Sequence, residues 1–144
     1  MRVFVAGGGT GGHLYPGLAI ARALVKANPA VAPFFIGALR GVEKEVLPKT
    51  EFPFALLDLH PLYRSQIWKS WRTVVGGIEA WLAIGRLARE DKPRVIVGTG
   101  GYASVIALAY GAARGVPLVL QEQNSYPGIA TRVFSRFARQ IHLG

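Results

Sequence analysis

Two glycine-rich stretches, each set between a short apolar run and a helix-forming segment, constrain this chain more than any other feature. The first, Gly7-Gly8-Gly9-Thr10-Gly11-Gly12-His13, follows an apolar run and precedes a helical-period segment with Pro16 near its start. The second, Gly98-Thr99-Gly100-Gly101-Tyr102, again follows an apolar run and opens a helix. Small residues at such junctions let the backbone approach a ligand closely, and the free N–H groups of a helix start favour phosphate. Glycine-rich turns also permit tight strand-to-helix packing with no ligand at all. The residues around the loops must decide between these readings.

Around the loops, short apolar runs alternate with helical-period segments. That is the pattern of an α/β fold with a doubly wound, Rossmann-like parallel sheet. Strands are predicted at 2–6, 32–36, 54–57, 94–98, 117–121 and 140–143, each short and apolar enough to be covered on both faces. Helices are predicted at 16–27, 42–47, 65–90, 102–114 and 127–138, with Gly76-Gly77 dividing the long one. Two glycine loops at the carboxyl ends of parallel strands define a crevice in which ligands bind. The 144 residues fill one domain, and ending directly after a sixth strand makes the chain read as a domain cut from something larger.

Charge and hydropathy narrow the partners. Seventeen Lys and Arg against 8 Asp and Glu give a net charge of +9, and the mean hydropathy is +0.29. A chain both basic and apolar suits an anionic partner: nucleic acid, a membrane surface or a phosphorylated small molecule. The absence of Cys removes disulfide, thiolate-metal and thiol redox chemistry. The N-terminal residues lack the apolar core of a secretory signal, and no apolar run approaches the ~20 residues of a bilayer span. Any membrane role is therefore expected to be peripheral.

Gly7, Gly9 and Gly12 satisfy the G-x-G-x-x-G spacing of dinucleotide-binding proteins. A NAD site should also present an acid at the end of the second strand, yet Ile36-Gly37-Ala38-Leu39-Arg40 has none. Arg40 suits a 2′-phosphate, so an NADP-dependent oxidoreductase remains an alternative. His13, closing the first loop at a helix start, is placed to accept a proton from an attacking hydroxyl. Glu122, in Gln121-Glu122-Gln123-Asn124, follows an apolar strand and lies at the same sheet edge, either as part of a sugar or phosphate site or as a helix-start segment. His13, His60 and His142 are scattered, and no Asp-x-Asp pair is present, so no metal site is expected. The carboxylates of Glu43 and Glu45 diverge on a helix and read as a solvated face. Ser104 is not in a nucleophile elbow.

A basic and aromatic stretch offers a surface. Ile67, Trp71 and Val75 share a helical stripe with Trp68 beside it, flanked by Arg64, Lys69 and Arg72. Such a face dips into lipid headgroups, although a core role for the aromatics fits as well. Arg132, Arg136 and Arg139 recur at helical spacing as a second basic stripe. If joined to the first, it would add roughly 1 kcal/mol of anionic-lipid attraction per cation. With no helix-turn-helix spacing, zinc ligands or aromatic strand motif, no nucleic-acid partner is expected.

Taken in order, three motifs resemble the MurG family, the UDP-N-acetylglucosamine:undecaprenyl-diphospho-muramoylpentapeptide transferases of the GT-B fold. They are Gly8-Gly9-Thr10-Gly11-Gly12-His13 with Pro16-Gly17, Gly100-Gly101-Tyr102-Ala103-Ser104, and Glu122-Gln123-Asn124 with Pro127-Gly128. The resemblance spans the chain. It implies an N-terminal, acceptor-binding domain at 1–144, with the C-terminal donor-binding domain absent from this chain. It also implies an inverting transfer of N-acetylglucosamine from UDP-N-acetylglucosamine to lipid I, without metal or cofactor, in which the muramoyl C4 hydroxyl attacks the anomeric carbon. Thr10, Gly11, Gly12 and Asn124 then look like donor-side contacts, and His13 resembles the proposed base. Gly100, Gly101 and Tyr102, with Gly11 and Gly12, look like the acceptor-diphosphate cradle, while Glu122 resembles a residue shaping the sugar site. The family's polyprenyl acceptor implies a peripheral place on the cytoplasmic face of the bacterial plasma membrane. Thr99 and Gln121 depart from common family choices outside the core motifs. A further alternative is a non-catalytic membrane-tethering subunit of a two-chain glycosyltransferase.

Overall fold

A computed structural model describes residues 1–59 and 70–144, with side chains omitted for 70–73. Among the described residues six strands form one parallel sheet: β1 (Arg2–Gly7), β2 (Ala32–Ala38), β3 (Phe54–Leu57), β4 (Val95–Gly100), β5 (Leu118–Glu122) and β6 (Ala138–Leu143). Their spatial order is β3-β2-β1-β4-β5-β6, and every neighbouring pair runs parallel. Between them lie α1 (Gly11–Ala27), α2 (Glu43–Val46), α3 (Ser70–Glu90), α4 (Tyr102–Arg114) and α5 (Ile129–Phe134).

The two-residue period of the strands builds two cores. From β1, Phe4 and Ala6 join the layer under α3, α4 and α5, together with Ile36, Ile96 and Leu108. Val3 and Val5 point the other way, into the layer under α1 and α2 with Leu14, Leu18, Phe35 and Leu47. On α1, Leu14, Gly17, Leu18 and Ala21 are buried at the i, i+3, i+4, i+7 spacing of one helical face. Gly17 permits close seating: a Cβ there would lie 3.2 Å from Val5.

Several expectations change. Helix α1 begins at Gly11 rather than Pro16, because the His13 and Leu14 amides both close onto the Thr10 carbonyl at 3.2 Å. Pro16 therefore sits inside the helix. Helix α3 runs unbroken through Gly76-Gly77. A glycine costs a helix only about 1 kcal/mol, and at Gly77 it brings the backbone near Ile106 of α4. The fifth helix ends at Phe134, followed by a 3-10 turn and then β6, which contains Arg139. Arg132, Arg136 and Arg139 thus form no continuous helical stripe. Strand β6, expected to be covered on both faces, is largely exposed at the sheet edge.

The residue Glu43 departs most. Read as part of a solvated face, it is 0% exposed, because it turns inward beneath the first glycine loop instead of away from the sheet.

Candidate functional site

Strands β1 and β4 are neighbours whose chains leave in opposite directions along the sheet, the switch point at which α/β folds place ligands. The two glycine loops therefore meet. Gly8 N donates to the Gly100 carbonyl at 3.3 Å, and a Cβ on Gly101 would stand 1.9 Å from the Gly8 carbonyl oxygen. Gly101 also has φ +77°, a conformation that side chains rarely adopt. Thr10 caps α1 in an extended conformation without a side-chain bond, and no acid lies in the first turn. The amides of Gly11 and Gly12 precede any intrahelical acceptor, so they are left free at the positive end of the helix dipole. Helix α4 likewise starts at Gly101 with no side-chain cap and no acid in its first turn.

The half-buried His13 is held between the loops. A Cβ on Gly100 would lie 2.7 Å from its Nδ1, so the imidazole rests against bare backbone. Its Nδ1 is 3.1 Å from the Thr99 carbonyl. A carbonyl only accepts, so Nδ1 carries the proton and Nε2 keeps the lone pair, the tautomer a general base needs. The Gln123 side-chain amide reaches the same Nδ1 at 2.6 Å. With its amide oxygen turned toward the ring, Gln123 becomes a second acceptor for the Nδ1 proton. Thr99, 1% exposed, donates its hydroxyl to the His13 carbonyl at 2.6 Å and fixes the backbone as well.

Glu122 is 2% exposed and organises the turn after β5. Its Oε1 accepts from the Asn124 backbone at 3.0 Å and side-chain amide at 2.8 Å, while Oε2 accepts from Gly128 N at 2.9 Å and the Thr131 hydroxyl at 2.7 Å. Burial opposes the charge, but the bonds from Thr131, Gly128 and Asn124 outweigh it and lower the carboxyl pKa. An acid so committed positions Asn124 rather than transferring a proton. Glu122→Gln puts an amide donor against N–H groups and is expected to cost about 1–3 kcal/mol near neutral pH. Because the folded-state pKa is depressed, that loss is present above the ordinary carboxyl range and shrinks as pH falls through it. Urea unfolding of both proteins from pH 7 to pH 3 checks the sign.

A cavity of about 350 Å³ lies at the sheet's carboxyl edge, lined by His13, Gly100, Gly101, Tyr102, Glu122 and Asn124 among others. Six of the nine catalytic and substrate-contact residues expected from sequence thus meet there. Thr10, Gly11 and Gly12 are outside that lining, on the adjoining first turn of α1. Sequence reasoning missed Glu43, Thr99, Gln123 and Thr131; the polar run after β5 was the only signal for Gln123. Arg64, Ile67, Trp68 and Lys69 lie outside the described residues, as does His60, and Trp71 and Arg72 fall on the first turn of α3 without described side chains. Beyond them, Val74, Val75, Ile78 and Leu82 leave an exposed aliphatic face on α3. Among the described residues no helix is long and apolar enough to cross a membrane.

The Glycosyltransferase family 28 N-terminal domain matches residues 3–143. The chain belongs to glycosyltransferase family 28. This family 28 domain is similar to the UDP-N-acetylglucosamine--N-acetylmuramyl-(pentapeptide) pyrophosphoryl-undecaprenol N-acetylglucosamine transferase of Moorella thermoacetica, 43% identical over 99% of this chain and 38% of that protein. The protein of the same name from Levilactobacillus brevis is 41% identical over 98% of this chain and 39% of its own length. The chain thus spans about two-fifths of the curated relatives it matches. In fold it resembles Acinetobacter baumannii MurG, with a TM-score of 0.84 at 22% identity, covering 99% of this chain and 41% of that one. Spinosyn rhamnosyltransferase SpnG, solved with thymidine diphosphate, follows with a TM-score of 0.57 at 16% identity, over 96% of this chain and 38% of that one. The dinucleotide alternative loses ground on geometry too. The acid that follows β2, Glu43, is buried under the loop, and Arg40 pairs with Asp58 at 3.3 Å.

Proposed function

We propose that this family 28 domain is the acceptor-binding half of an inverting transferase that moves N-acetylglucosamine from UDP-N-acetylglucosamine to the muramoyl C4 hydroxyl of lipid I. The observation that carries the reading is the meeting of two glycine loops around His13, in a chain whose matched relatives are named for that transfer. The loops end in two helix starts with no side-chain cap and no acid in the first turn, which suits them to cradle a diphosphate. His13 Nε2 takes the hydroxyl proton as the sugar oxygen attacks the anomeric carbon; the bond to UDP breaks with the electron pair leaving on the diphosphate. Gln123 and Thr99 keep Nδ1 protonated so that Nε2 stays the acceptor. Asn124, fixed by Glu122, faces the same cavity and serves the donor side.

The test is transfer of labelled N-acetylglucosamine from its UDP donor to a lipid I analogue, by the protein encoded by the uninterrupted reading frame. Product with an inverted anomeric centre supports the reading. No transfer by a folded protein overturns it, and transfer that requires a separately encoded donor-binding chain favours the tethering subunit instead.

The membrane role attaches to α3. Its exposed Val74, Val75, Ile78 and Leu82 continue the stretch carrying Ile67, Trp68 and Trp71, and a net charge of +9 favours an anionic surface. Both features support a peripheral position on the cytoplasmic face of the bacterial plasma membrane. The double variant Ile78→Glu, Leu82→Glu is expected to weaken sedimentation with phosphatidylglycerol vesicles at least about tenfold, since each lost side chain removes roughly 1.5–3 kcal/mol of apolar burial. Unchanged binding would move the contact elsewhere.

A further inference from the structure

A fully buried carboxylate is costly unless its charge is met, and Glu43 is 0% exposed. Among the described residues its carboxylate makes no ion pair. What meets it is backbone: Oε1 accepts from Gly9 N at 2.9 Å and from Ala38 N at 3.1 Å. Oε2 is buried with no partner among the described residues.

Room for this side chain is made by three glycines from separate segments. A Cβ on Gly8 would fall 1.8 Å from Oε1, one on Gly41 2.0 Å from Oε2, and one on Gly37 2.9 Å from the Glu43 Cβ and Cγ. An apolar side chain would fill such a space at lower cost, so filling does not explain a carboxylate there. What a carboxylate adds is an acceptor that ties the end of β2, at Ala38, to the loop after β1, at Gly9. From the opposite side the Gly8 amide is tied to the Gly100 carbonyl, and the Gly9 α-carbon packs against Tyr102. The first loop is clamped between Glu43 and the second loop.

We propose that Glu43 is a positioning residue for the anion cradle: by drawing the Gly9 amide inward, its Oε1 sets the loop path that leaves the Gly11 and Gly12 amides facing the cleft. The proposal rests on the reading of these loops as a diphosphate site. It requires the acceptor atom and its reach more than the charge. Gln keeps an oxygen for both amides, and its NH2 group takes the place of Oε2, which has no bond to lose. Asp keeps the charge but falls short of Gly9 by one methylene.

The experiment compares Glu43→Ala, Glu43→Asp and Glu43→Gln in the full-length protein by two readouts. One is hydrogen exchange of the Gly9 amide by NMR; the other is KM and kcat for a lipid I analogue. Glu43→Ala and Glu43→Asp are expected to lose Gly9 protection and to raise KM about tenfold or more, the effect of losing a hydrogen bond to a charged group, with kcat changing less. Glu43→Gln is expected to keep the protection and to rescue KM to within about threefold. The proposal fails if Gly9 stays protected in the Asp variant, if a folded Ala variant keeps the wild-type KM, or if Gln behaves like Ala. Gly9 exchange needs no turnover: a wild type without transfer whose Gly9 protection still follows the side chain at position 43 would sink the functional reading and leave the clamp standing.

Discussion

His13→Ala is expected to lower the rate of sugar transfer by roughly 10²–10⁴-fold, the range for removing a general base, while leaving the fold intact. The imidazole is only half-buried, and the backbone bonds around it survive truncation: the Thr99 hydroxyl to the His13 carbonyl, and Gly8 to Gly100. The variant should therefore lose kcat more than donor or acceptor KM. Steady-state kinetics on both substrates, with thermal unfolding as control, checks this. A folded His13→Ala protein within tenfold of wild-type kcat would place the base elsewhere, and Glu122 would be a poor replacement. Its lowered pKa and four accepted hydrogen bonds leave it little capacity to take a proton.

Gly101→Ala is expected to be more damaging than its size suggests. The added Cβ would be 1.9 Å from the Gly8 carbonyl oxygen, a backbone atom that cannot rotate aside, and the residue holds φ +77°. Overpacking costs about 1–3 kcal/mol, and the backbone at φ 77°, ψ 167°, a region essentially restricted to glycine, adds about 1–3 kcal/mol. The two loops must separate to relieve the contact, which moves the cradle and the His13 ring together. We expect a loss of about 2–6 kcal/mol in unfolding free energy and a parallel loss of transfer. Gly115→Ala is the comparison. It is in the milder left-handed helical conformation, and a Cβ there meets nothing within 4 Å, so it should cost only about 1–2 kcal/mol and spare activity. Equal effects at the two positions would refute the steric argument.

The alternation of apolar runs and helical segments was enough to place the six strands and the doubly wound class; for the interior strands this is because cover on both faces leaves an apolar signature that does not depend on their neighbours, whereas β6 is placed but exposed. The residues that mark the cleft were legible for a related reason: glycines at a strand-to-helix junction and a polar run after an apolar strand are local patterns. Errors arose where a distant partner decided the outcome. Gly76-Gly77 reads as a break, but from Gly77 onward one face of α3 packs on α4 and the core, and the helix continues. Arg139 reads as a member of a basic stripe at helical spacing until pairing with β5 draws its segment into a strand.

Glu43 shows the limit most plainly. Position on a short helix predicts only that it diverges from Glu45, whereas its burial depends on Gly8, Gly37 and Gly41 vacating one space from three segments. Thr99 and Gln123 are similar: each acquires its role by reaching His13, 86 and 110 residues away in sequence. The sequence by itself determined the sheet, the two glycine loops and the candidate base, since these rest on periodicity and on backbone freedom residue by residue. Only the tertiary structure decided the tautomer of that base, the clamp beneath its loop and the positioning role of Glu122. Hydrogen bonds and steric exclusion act over a few ångströms of space, whatever the separation along the chain.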